Sequence, residues 1–71
     1  MQSSEHPSTL VARHEFAYWA GQAGDAAGAR DQFAVLLPIR ERVQGPGHPG
    51  TLTTRVGLAY WTGQAEDAAA M

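Results

Sequence analysis

The chain has 71 residues, five basic and seven acidic, with a formal charge of −2. That length allows a single domain, and the acidic balance leaves no basic patch for the counterion release that nucleic acid binding requires. There is no cysteine, so disulfides and thiolate zinc sites are excluded. Residues 1–5 are polar, with neither the basic nor the apolar region of a secretory leader, and are expected to form a short tail. Apolar stretches further on are cut by charge, Gly or Pro well short of the ~20 residues a membrane span needs. The expectation is a cytoplasmic protein without membrane contact.

His6-Pro7 opens the first predicted helix, because the residue before proline is pushed out of the α region and proline suits the first helical position. From Thr9 onward two apolar stripes recur at helical spacing. Ala12, Phe16, Trp19 and Ala23 form one, with Trp19 assigned to the core beside Phe16, and Leu10, Ala17 and Ala20 form the other. Gly24 is the predicted stop, and Asp25 the predicted cap of the next helix. That second helix, about residues 26–43, carries Ala26, Ala29, Phe33, Leu36 and Val43 on one face, with Arg40 counted among its polar residues. Pro38 inside it predicts a kink, and Gln44-Gly45-Pro46-Gly47 a break. A third helix is expected over about 50–64, with Leu52, Leu58, Ala59 and Trp61 on its apolar face. Gly57 weakens it by on the order of 1 kcal/mol relative to alanine.

The third helix is the first one again. Shifted by 42 residues, 6–29 align without a gap on 48–71, and 14 of the 24 pairs are identical. The chain therefore divides into a tail (1–5), a complete helix-turn-helix unit (6–47), and the first helix with the truncated start of a second unit (48–71). The fold class is all-α, an antiparallel helical hairpin repeat of three helices plus a C-terminal stub, Asp67 to Met71.

Phe16-Ala17, Ala20, Gly24, Ala29, Phe33 and Pro38 together resemble the tetratricopeptide repeat pattern. The 42-residue period and the linker GPGHPGTL are similar to the kinesin light chain-type branch as found in bacterial arrays. Departures are Glu66 in place of the turn glycine, and Glu15 and Gly57 where this branch usually has asparagine. The resemblance implies a right-handed helical-hairpin solenoid whose first helices line a concave groove for peptide or protein. On this chain the groove set would be Val11, His14, Tyr18 and Gln22, then Thr53, Val56, Tyr60 and Gln64. Each set recurs at steps of three or four and so shares one helical face. The same residues could instead be plainly solvent-exposed, or lie under a neighbouring chain.

Other motifs point nowhere sharper. His14-Glu15 opens like a zinc-protease HExxH box, but Tyr18 stands where the second histidine ligand must be. His6 and His48 occupy equivalent linker positions, which explains them better than a metal pair with His14. The glycine-rich segment 21–28 lacks the lysine and hydroxyl of a phosphate loop. No metal or cofactor is therefore expected, and an enzyme is the most distant reading. The leading one is a non-catalytic protein-interaction module; its rival is a truncated remnant of a longer array with no function of its own. Solenoids usually need about three repeats, and a core this small rarely supplies more than about 3–5 kcal/mol. Self-association is accordingly expected through an uncapped third-helix face of Leu52, Leu58 and Trp61.

Overall fold

The computed structural model describes residues 6–70, so the expected tail at 1–5 lies outside the described residues. Three helices follow one another: α1 (Pro7–Gln22), α2 (Ala26–Gln44) and α3 (Pro49–Ala70). Each start is fixed by a side chain. His6 Nδ1 accepts from the Ser8 amide at 3.1 Å, and its repeat equivalent His48 accepts from the Gly50 amide at 3.0 Å. Asp25 Oδ1 accepts from the Gly28 amide at 2.8 Å, as an N-cap should. The two His-Pro pairs are thus helix starts, with the imidazole as the cap.

The turn after α1 explains both its own sharpness and its absence from the second copy. Asp25 N–H donates to the Ala20 carbonyl and Gly24 N–H to the Gly21 carbonyl, both at 3.0 Å, while Gly24 takes φ +102°. This pair of bonds is a Schellman closure, which wants a residue without Cβ at the left-handed position. Glu66 occupies that place in the second copy. The expected stub is therefore no separate element: α3 runs uninterrupted for 22 residues to Ala70. α2 likewise extends through Pro38 as one helix.

α2 is the middle element, packed against both α1 and α3, while α1 and α3 meet mainly through the Trp61 ring over Gly21 and His14 beside Thr54. The molecule measures 42 × 25 × 14 Å. Its least dimension is close to the diameter of one helix, about 10–12 Å, so the three helices form nearly a single layer. Ala17, Ala29, Phe33 and Trp61 make the core, with Ala26 and Leu58 against it, and Leu10 and Leu36 are buried as well. Gly21 and Gly57 permit the close approaches: the Trp61 ring lies directly over Gly21, and a Cβ on Gly57 would stand 2.9 Å from the Phe33 ring. Gly57 thus weakens its helix in exchange for room that Phe33 fills. Arg55 Nη2 meets Glu41 Oε2 at 2.7 Å, an exposed tie between α3 and α2.

Four expectations need correction. Of the two stripes on α1, the one with the larger residues is open: Phe16 is 63% and Trp19 64% exposed, with Ala12 and Ala23 exposed too. The stripe that packs on α2 is Leu10 and Ala17, because the only neighbour α1 meets extensively lies on that side. On α3 the reverse holds: Trp61 is buried and Leu58 packs against the core, while Leu52 and Ala59 are exposed. Leu58 and Trp61 therefore do not form an open patch for self-association: Leu58 packs against the core, and the Trp61 ring lies over Gly21 of α1. Last, Val43 is exposed and Arg40 buried, so the apolar stripe of α2 ends on a charged residue.

Candidate functional site

One face of the layer, bounded by α1 and α3 with α2 between them, is hollowed. Two adjoining hollows occupy it. One, of about 440 Å³, lies among His14, Tyr18, Gln22, Phe33, Thr53, Val56, Gly57, Tyr60 and Trp61. The other, of about 310 Å³, lies among Val11, His14, Glu15, Arg40, Gln44, His48, Gly50 and Thr53. Seven of the eight groove residues named from the sequence line one or both: Val11, His14, Tyr18, Gln22, Thr53, Val56 and Tyr60. Gln64 lines neither and is exposed.

The walls are helix faces and the floor is α2. Tyr18 and Tyr60, repeat equivalents on opposite walls, are each about half exposed. Both hold their following tryptophan edge-on, at 5.2 Å for Tyr18–Trp19 and 4.8 Å for Tyr60–Trp61. Each phenol thus has a stiff apolar backing while its outer edge faces the hollow, the kind of side chain that loses little freedom on contact.

His14 joins the two hollows. Its ring meets Phe33 edge-on at 5.0 Å, and its Nδ1 lies 3.3 Å from Thr54 Oγ1. Since that hydroxyl donates to the Gly50 carbonyl at 2.9 Å, it accepts from His14, which puts the neutral ring's proton on Nδ1. Burial holds the imidazole below its usual pKa; the Arg40 charge adds to this and the Glu15 carboxylate opposes it. A neutral ring at pH 7 follows.

Arg40, Phe33, Gly57, Glu15, Gln44, His48 and Gly50 were not in the sequence-derived groove set. For Arg40 a signal existed: Ala29, Phe33, Leu36 and Arg40 recur at helical spacing, so the arginine stands on the apolar stripe. Its side chain is 4% exposed, Nη1 donates to Gln44 Oε1 at 3.1 Å, and burial lowers its pKa.

Among the described residues no three His, Asp or Glu side chains gather as a metal site, and no helix is long and apolar enough to cross a membrane. The glycine-rich segment forms the α1–α2 turn, where the carboxylate of Asp25 already holds the free amide of Gly28. Comparison with protein-family models, with curated proteins and with solved structures finds no match.

Proposed function

We propose that this chain is a non-catalytic interaction module of tetratricopeptide type, acting in the cytoplasm, which holds a peptide or a protein segment in the concave face between α1 and α3. What supports the reading is that two repeat-equivalent pairs, Tyr18 with Tyr60 and His14 with Val56, line one hollow. A hollow of about 440 Å³ floored by Phe33 accommodates an apolar side chain, and the phenol edges and amides around it supply polar contacts. Panning a displayed library of random heptapeptides against the chain tests this. Enriched sequences should lose binding to a Tyr18→Ala, Tyr60→Ala double variant that keeps its helicity. Failure to enrich any sequence, or equal binding to the double variant, would defeat it.

Self-association belongs to the same proposal with a changed surface. Phe16 and Trp19 on α1 and Leu52 and Val56 on α3 are among the open apolar residues. Sedimentation at micromolar concentration should show a dimer or higher oligomer that Trp19→Glu returns to monomer; a monomer throughout would exclude it.

A further inference from the structure

The smaller hollow has several polar groups on its wall, and most are already engaged. Arg40 Nη1 donates to Gln44 Oε1 at 3.1 Å, and its Nε is buried out of reach. The Thr53 hydroxyl donates to the Pro49 carbonyl at 2.9 Å, and the Gly50 amide donates to His48 Nδ1 at 3.0 Å. Those bonds leave open the outer nitrogens of two imidazoles, His14 and His48, which both line the 310 Å³ hollow. His48 is exposed; His14 is half-buried, but its Nε2 is not an enclosed atom.

The two rings offer opposite polarity. Thr54 Oγ1 takes the proton of His14 Nδ1, so Nε2 of that neutral ring carries a lone pair and accepts. His48 accepts at Nδ1 from the Gly50 amide, so the proton of that neutral ring sits on Nε2 and donates. Charges on the same wall disfavour ionic occupants of either sign: the Arg40 guanidinium opposes an arriving ammonium group, and the Glu15 carboxylate an arriving acid. What matches one acceptor and one donor without charge is a group that holds N–H and C=O on one carbon. Among side chains that group is the carboxamide of asparagine and glutamine.

We infer that His14 and His48 form a carboxamide-binding pair in the smaller hollow, with His14 Nε2 accepting from the amide NH2 and His48 Nε2–H donating to its oxygen. This rests on the groove reading and gives its partner a chemistry: a carboxamide side chain in the smaller hollow, with a neighbouring apolar residue in the larger one.

Imidazole nitrogen-15 NMR at pH 7.5 tests the pair before any ligand is added. His14 should carry its proton on Nδ1 and His48 on Nε2; the same tautomer in both rings would overturn the inference. Three probes follow: acetyl-Leu-Gln-Leu N-methylamide and its counterparts with methionine or glutamate at the centre. The glutamine peptide should shift both Nε2 resonances saturably. It should bind about five- to tenfold more tightly than the methionine peptide of similar size, the worth of one or two neutral hydrogen bonds. His14→Val should cut that preference to about threefold or less, and so should His48→Asn, which keeps a capping side chain at the start of α3. If His14→Val fails to fold, His48→Asn decides, and an undiminished preference there would overturn the pair. Equal binding of the glutamine and methionine peptides, with shifts at Tyr18 and Tyr60, would overturn the pair and leave the groove standing. Tighter binding of the glutamate peptide would assign recognition to the charge of Arg40 and overturn it as well. Binding by none of the probes would overturn pair and groove together.

Discussion

α1 and α3 carry the same sequence twice, and they fold alike but pack differently. Both open on a His-Pro start with the imidazole as cap, and both set a tyrosine edge-on to the next tryptophan at about the same separation, 5.2 and 4.8 Å. Yet Trp19 is 64% exposed and Trp61 7%. Conformation is written into the repeated residues, whereas burial depends on which side α2 stands. Against α1 it stands on the Leu10–Ala17 side, and against α3 on the Leu58–Trp61 side. One motif thus presents two faces, and each copy leaves open the face that the other buries.

The largest break in this comparison comes from the residue both copies share. Phe33 touches His14 of α1 edge-on and lies under Gly57 of α3. Phe33→Ala should cost about 3–5 kcal/mol, comparable to all that a core of this size supplies, and unfold the isolated chain. Circular dichroism is the check: full helicity and a sharp melt in the variant would show that Phe33 is not what joins the two copies.

The two tryptophans then give the comparison directly. Trp61→Ala empties the space over Gly21 and should cost about 3 kcal/mol or more. Trp19→Ala removes an exposed ring and should change stability by no more than about 0.5 kcal/mol at dilute, monomeric concentration. Urea melts of the two variants measure the difference. Equal losses would mean that the α1 face is covered in solution even at high dilution.

Turns separate the copies by a smaller margin. Gly24→Ala forces a Cβ into φ +102° and should destabilise by somewhat more than about 1 kcal/mol. Glu66→Gly, which restores the first copy's residue to the second, should only loosen the end of α3, at a cost below about 1 kcal/mol. Helicity loss in Glu66→Gly equal to that in Gly24→Ala would contradict this order.

What could be read from the sequence follows the same division. The cap at Asp25, the helix start at Pro7, the glycine turn, and the apolar face of Phe33 and Leu36 are local or periodic properties, and they were legible; that the His6 imidazole is itself a cap was not. So was the doubtful turn at Glu66, although its consequence, one long helix in place of a stub, needed the geometry. The choice between two stripes on α1 was not legible, because both have helical spacing and the larger side chains favoured the wrong one. The groove set came from the family resemblance, and seven of its eight residues line the two hollows. Its floor and its buried arginine could not be named with it, since both come from α2, whose packing angle no periodicity encodes.

His14 supplies the smallest and most specific contrast, because the equivalent residue of α3 is Val56 and cannot titrate. Burial lowers the folded-state pKa of His14, so below about pH 6.5, the ordinary value for a free imidazole, the unfolded chain binds protons more readily than the folded one. Stability therefore falls as pH drops through that value, and levels off only once the folded ring is protonated as well. Protonation also places a cation near Arg40, the second cause of the lowered pKa, so the hollow itself should loosen in the same range. Wild-type chain should melt at a lower temperature at pH 5.5 than at pH 7.5. His14→Val, which makes the first copy like the second here, should lose stability at pH 7.5 with its Thr54 bond but shed most of the pH dependence. An undiminished slope in His14→Val would assign the titration to another group and leave the two copies alike in this respect.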